Sequence, residues 1–187
     1  MVQWESINEL NAFRLLDADP TAISFHEQPL AIQFVLHGEQ HVHYPDILVQ
    51  YRTTRELWEV KPAVHADKLE CVERTRLLER LLPPLGFTYR LILAEELARE
   101  PRMNTVSTIL RLGRHQVQLI VRERIRQLLT ATQVTWGDLK GALGANGGHH
   151  ISRLILEGAI HIDFDACLGQ DTLLTWNPSQ SGQLWER

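Results

Sequence analysis

Tyr44-Pro45-Asp46-Ile47-Leu48-Val49-Gln50-Tyr51 and, after four residues, Glu56-Leu57-Trp58-Glu59-Val60-Lys61-Pro62 are the stretches on which the reading of this chain turns. Both are short runs rich in β-branched, aromatic and aliphatic residues, separated by Arg52-Thr53-Thr54-Arg55, and they read as two strands of a hairpin ended by Pro62. Along a strand alternate side chains share a face, so Glu59 and Lys61 point together while Val60 points the other way. With the turn placed on Thr53-Thr54, Asp46 falls opposite Lys61 on that same face, and a slip of one residue would move it to the other. Two carboxylates and an ammonium then converge at one end of a sheet.

Working outward, Ile7, Leu10, Phe13 and Leu16 fall at helical spacing and Asp19-Pro20 closes that helix; Leu30 to Leu36 is a further strand. Ala66 to Leu82 reads as a second helix, stopped by Pro83-Pro84-Leu85-Gly86, and Phe87 to Leu93 as a strand. The expected order to residue 100 is helix, three strands, helix, strand: an α/β (α+β) domain with a small mixed sheet over 1–100. From 101 to 187 the texture becomes mainly α. Helices are expected near 104–112, 116–130, 135–143 and 148–157, with Thr135 and Asp138 forming a capping box, and strands near 159–163 and 172–176. Helices followed by a β-hairpin give a winged-helix-like layout for this second domain.

Composition narrows the class. With 44% hydrophobic and 22% charged residues the chain is an ordinary globular one. No apolar run approaches the roughly 20 residues a membrane helix needs, and the first residues carry no signal-peptide pattern, so the expectation is cytoplasmic with no membrane contact. The two cysteines, Cys71 and Cys167, suggest neither a disulfide framework nor a zinc cluster and are read as small core residues. Net charge is −4, with 16 acidic against 10 basic residues in positions 1–100. That balance suits carboxylates gathered around a cation and also suits a plain solvated surface.

Asp46, Glu59 and Lys61 are the groups that phosphodiester hydrolysis requires: hard oxygen ligands for Mg²⁺, and a cation to meet charge developing on phosphorus. Asp46, Glu59 and the Val60 carbonyl would hold the metal, and Lys61 would position the attacking water or stabilise the transition state. A further carboxylate is wanted from upstream, where Glu5, Glu9 and Glu27 compete. The bland alternative is an exposed strand pair of Glu59 and Lys61 worth about 0–1 kcal/mol.

The motifs Ser6-Ile7-Asn8-Glu9, Leu15-Leu16-Asp17-Ala18-Asp19-Pro20, Glu27-Gln28-Pro29, Tyr44-Pro45-Asp46 and Glu59-Val60-Lys61-Pro62 resemble, in order and spacing, the N-terminal domain of TnsA-type transposon endonuclease subunits, of the PD-(D/E)xK restriction-endonuclease-like superfamily. The resemblance implies Glu9, Asp46, Glu59 and Lys61 as the catalytic set, and so selects Glu9 among the three candidates. It implies metal-dependent (Mg²⁺ or Mn²⁺) cleavage of one strand of double-stranded DNA at transposon ends, beside a DDE transposase that cuts the other. A looser resemblance through Asp138-Leu139, Leu154-Ile155-Leu156-Glu157-Gly158 and Ile162-Asp163 implies a winged-helix-like C-terminal domain that contacts an AAA+ ATPase regulator. Two rivals stand beside this: a PD-(D/E)xK nuclease of restriction or repair type, and a catalytically inactive winged-helix DNA- or protein-binding adaptor. The intact four-residue set speaks against decay.

Other residues are weighed against ordinary roles. His41-x-His43 on a strand, or His149-His150 in a loop, could ligate a metal, but neither has a third ligand at suitable spacing. Arg111, Arg114, Arg122, Arg124 and Arg126 form either a phosphate-contacting or acidic-partner surface or a solvated face. Gly144 to Gly148 reads as the turn before the recognition helix rather than a phosphate loop. Trp58 is expected in the core, with no catalytic part.

Overall fold

In a computed structural model, residues 7–178 are described; Glu5 and Ser6 therefore lie outside the described residues. The chain divides into two compact units, one of residues 1–16 and 21–99, the other of 17–20 and 100–187.

The first unit begins with helix α1 (Ile7–Ala18), followed by strands β1 (Ser24–Glu27), β2 (Ile32–Leu36), β3 (Glu39–His43), β4 (Ile47–Gln50) and β5 (Arg55–Lys61). Helices α2 (Ala63–Ala66) and α3 (Leu69–Leu81), strand β6 (Thr88–Leu93) and the short helix α4 (Ala94–Leu97) complete it. Strands β1, β4, β5 and β6 lie in that order in one sheet. The first three are antiparallel, whereas β5 and β6 run parallel and are joined by the α2–α3 crossover that a parallel pair needs. The sheet is mixed, as expected. β2 and β3 form a separate antiparallel hairpin.

Two strands lie outside the expected element order, although His41 and His43 are expected on a strand. β1 runs through Ser24-Phe25-His26-Glu27, a stretch too short and polar to show a period, and β3 through Glu39-Gln40-His41-Val42-His43, where only Val42 is aliphatic. Both are strands because of the partners they find, β1 at the edge beside β4 and β3 against β2. Glu27, one of the three candidate upstream carboxylates, closes β1 opposite Ile47.

β5 carries a core on each face. Trp58 and Val60 pack with Ile47, Val49 and the Ala12, Phe13 and Leu16 stripe of α1. On the other face Leu57 packs with Phe34 of β2, Leu78 and Leu82 of the α3 segment, and Tyr89 of β6. Trp58 thus fills the α1-side core, and its indole N–H donates to Glu56 Oε2 at 2.7 Å.

The second unit contains α5 (Arg102–Leu112), α6 (Leu119–Ala131), β7 (Val134–Thr135), α7 (Trp136–Leu143), α8 (Gly147–Leu156), β8 (Ile160–His161) and β9 (Leu173–Trp176). Strands β7, β9 and β8 lie side by side in that order, each pair antiparallel. Thr135 caps α7: its hydroxyl accepts from Asp138 N–H at 3.2 Å while the Asp138 carboxylate reaches back to the Thr135 amide. A core of Ile109, Ile125, Trp136, Leu139, Ile151, Leu154, Ile155 and Leu174 joins helices to sheet. His149 and His150 lie on α8, not in a loop, and Cys167 is exposed while Cys71 is buried.

Candidate active site

The hairpin register decides what meets what. Ile47 pairs with Trp58 and Gln50 with Arg55, and the Tyr51 amide donates to Thr54 O at 2.9 Å, so the loop tip is Arg52-Thr53. Continuing that register by one step sets Asp46 opposite Glu59 rather than Lys61. The difference is two residues along the partner strand, which preserves the face. Asp46, Glu59 and Lys61 therefore share the α3-side face, as their spacing required.

Asp46 is tied to the end of β4. Its backbone carbonyl accepts from Gln28 N–H at 2.9 Å, and its Oδ2 accepts from Val60 N–H at 2.7 Å. In a strand the N–H and C=O of one residue point to the same neighbour, so the Val60 carbonyl also points to the Asp46 side.

Glu59 is the centre of the arrangement. Its residue is only 2% exposed, which an unpaired carboxylate would not tolerate. Oε1 accepts from Lys61 Nζ at 2.9 Å and from an Arg74 guanidinium nitrogen on α3 at 3.2 Å. Oε2 is buried without a hydrogen-bond partner. His43 Nε2 lies 3.3 Å from that oxygen and 3.0 Å from the Tyr89 hydroxyl. Burial, reinforced by Arg74 and Lys61, pushes the His43 pKa down to about 4, so the ring is neutral at pH 7 and its approach to Glu59 is no ion pair. Burial also raises the Tyr89 phenol, with the Glu59 charge adding to it, so the hydroxyl keeps its proton.

Lys61 is a half-buried ammonium. Burial alone would lower its pKa, but the hydrogen bond and charge of Glu59, helped by Asp46, outweigh that and hold it above the ordinary lysine value. At neutral pH it is a charged hydrogen-bond donor and not a base.

Glu9 stands apart in one respect. α1 packs through Ala12, Phe13 and Leu16 on the Val60 face, and Glu9, three and four residues before Ala12 and Phe13, projects from the same side of the helix. Glu27, paired with Ile47, belongs to that face too. Among the described residues no group of three or more His, Cys, Asp or Glu side chains is spaced to hold a metal ion. Glu9, Asp46 and Glu59 are thus not drawn into one three-carboxylate cage. The oxygen set at hand is two carboxylates and a carbonyl, with the orphaned Glu59 Oε2 among them. Such a set fits a hard divalent cation that keeps several of its own waters, as Mg²⁺ does.

Sequence reasoning missed Arg74, His43 as a neighbour of Glu59, and Tyr89. Arg74 sits among the charged residues of an amphipathic helix, where nothing local separates a buried guanidinium from a solvated one. His41, the other half of His-x-His, stacks on Phe34 with ring centroids 5.4 Å apart.

The arginines of the second unit are largely spoken for. Arg122 bonds Glu157, which also takes Arg153 Nε at 2.6 Å; Arg126 bonds Glu123 through two nitrogens at 2.8 and 2.6 Å; Arg124 reaches Ala142 O at 3.4 Å. A phosphate-binding stripe is correspondingly weaker than the sequence suggests.

Residues 19–93 match the family model described as "TnsA-like endonuclease N terminal". The match takes in Asp46, Glu59, Lys61 and Arg74, and begins ten residues after Glu9. No curated protein matches the chain. Among the described residues no helix is long and apolar enough to cross a membrane.

Proposed function

We propose, on the match of residues 19–93 to the TnsA-like endonuclease N-terminal family, that this chain is a divalent-metal-dependent DNA endonuclease that nicks one strand at transposon ends as the accessory subunit of a heteromeric transposase. The observation that carries the chemistry is the joint placement of Asp46 Oδ2 on Val60 N–H at 2.7 Å and of Lys61 Nζ on Glu59 Oε1 at 2.9 Å, on one face at one end of the sheet.

Asp46, Glu59 and the Val60 carbonyl would hold the cation; Glu9, which the family resemblance adds, would have to reach the sheet end from the opposite face to join them. When bound, Mg²⁺ or Mn²⁺ would supply Lewis acidity at the phosphate oxygen and a more acidic bound water. The chain's own contribution is positional and electrostatic. Val60 N–H fixes one Asp46 oxygen, so that carboxylate is oriented before any ligand arrives. Lys61, always charged near pH 7, donates to the attacking water or to the phosphate oxygen where negative charge grows. Burial of Glu59 beneath α3 excludes water around it and strengthens every charge interaction there.

For the second unit we propose a winged-helix-like fold used for protein contact, with the AAA+ regulator as partner. The order α6, β7, α7, α8, β8, β9, with β7 pairing β9, supports that reading. The choice of protein over DNA rests on α8, which occupies the recognition-helix position yet has no exposed residue. α5 shields it: His149 Nδ1 engages Leu112 O at 2.9 Å, and Gly113 lies against Leu156 and the Arg153 backbone. A helix so covered offers few side chains to base edges.

The test is a strand-specific nicking assay on a labelled transposon-end duplex in Mn²⁺ or Mg²⁺, with wild type and Asp46→Ala, with and without the partner transposase and ATPase. Cleavage that requires both Asp46 and the partners is expected. Cleavage without partners would make this a free-standing nuclease, and no cleavage under any condition would overturn the enzymatic reading.

A further inference from the structure

We infer that Arg74 is a charge rival of the cation at Glu59, and that it holds the metal affinity of the free protein down. The inference rests on the metal-binding reading of Asp46 and Glu59. Around Glu59 the charges already balance without a metal: Asp46 and Glu59 are negative, Lys61 and Arg74 positive, and both cations sit on the same oxygen, Glu59 Oε1, at 2.9 and 3.2 Å. A divalent cation shared between Asp46 and Glu59 would leave that cluster strongly positive. An incoming phosphodiester would relieve the excess.

Of the two cations, Arg74 is the one with a second carboxylate to move to. Lys61 leaves β5 two residues from Glu59 and is bound to the same strand face. Arg74 comes from α3, its Nε is buried without a hydrogen-bond partner, and it borders a cavity of about 70 Å³ also lined by Glu70, one helical turn before it. Glu70 stands at the i, i+4 distance where a carboxylate can take over a guanidinium. Arg74 thus has both an incomplete set of partners at Glu59 and an acceptor within reach when the carboxylate is claimed by a metal. A unit positive charge beside a divalent cation weakens its binding by about tenfold even in a water-like medium, and by more where water is excluded.

The experiment is calorimetric titration of Mn²⁺ into the full chain without DNA, comparing wild type, Arg74→Gln, Arg74→Lys and Asp46→Ala, with thermal melts to establish folding. Arg74→Gln should bind Mn²⁺ at least about tenfold more tightly while Arg74→Lys stays near wild type. Should the glutamine variant fail to fold, Arg74→Met keeps the apolar stem and carries the same comparison. Unchanged or weaker binding in the charge-free variant, with Asp46→Ala still weakened, would overturn the role given to Arg74 and leave the metal site standing. Unchanged affinity in Asp46→Ala would overturn the metal site itself, and this inference with it.

Discussion

Removing the Glu59 side chain should destabilise the first unit far more than loss of an exposed strand pair would. In Glu59→Ala two cations lose their acceptor, but not equally. The Lys61 side chain is 35% exposed and can turn to water, so its loss is small. Arg74 is 19% exposed, its Nε already lacks a partner, and without Glu59 the guanidinium is left a largely buried charge that must give up its packing to reach Glu70 across the neighbouring cavity. Breaking a buried pair from one side costs about 3–5 kcal/mol in well-enclosed cases; with this partial exposure we expect about 2–4 kcal/mol. Glu59→Gln, which keeps one acceptor oxygen, should cost less. The assay is urea denaturation followed by far-UV circular dichroism, together with hydrogen exchange on β5 and β6 peptides to assign the loss to this unit. The double variant Glu59→Ala/Arg74→Met should recover part of it. A loss below about 1 kcal/mol for Glu59→Ala would match an exposed pair and refute the reasoning.

Lys61→Ala should lower the cleavage rate by at least about a hundredfold without weakening Mn²⁺ binding, since the ammonium is a donor and not a ligand; near wild-type cutting would remove it from the mechanism. His43 links stability to pH. Its pKa falls from 6.5 to about 4 on folding, so the unfolded chain binds the extra proton between those values and stability is lost as pH drops through that window. The loss is at most about 3 kcal/mol, and a metal-free melting profile from pH 7 to 4 should flatten in His43→Phe. In the second unit one substitution should have opposite signs at two glycines. A Cβ at Gly147 would lie 2.6 Å from the Lys140 carbonyl oxygen, so Gly147→Ala should cost about 1–3 kcal/mol, whereas Gly141→Ala, in α7 with nothing within 4 Å, should gain about 0.5–1 kcal/mol; thermal melts read both.

Much of the architecture is legible because it is written locally. The period of 3.6 in Ile7, Leu10, Phe13 and Leu16 marks α1, the Thr135–Asp138 spacing marks the cap of α7, and Pro62 marks the end of β5. The period of two guarantees that Glu59 and Lys61 share a face, and a hairpin of nearly the right length places Asp46 on that face whichever of the two allowed registers forms. β1 and β3 left no such trace, because their residues become strands only through the partners they meet.

What the tertiary structure alone decided is the surroundings of Glu59. Arg74, His43 and Tyr89 lie 15, 16 and 30 residues from it in sequence, on a helix and two strands that meet there only once α3 has packed over Leu57 and Tyr89. The sequence by itself determined which residue types could do the chemistry and which of them share a strand face, since those depend on backbone periodicity within a few residues. Which cations occupy the carboxylate, which of its oxygens stays unpaired, and that α1 with Glu9 backs the opposite face of the sheet are consequences of how distant apolar surfaces bury one another, and no local pattern records them.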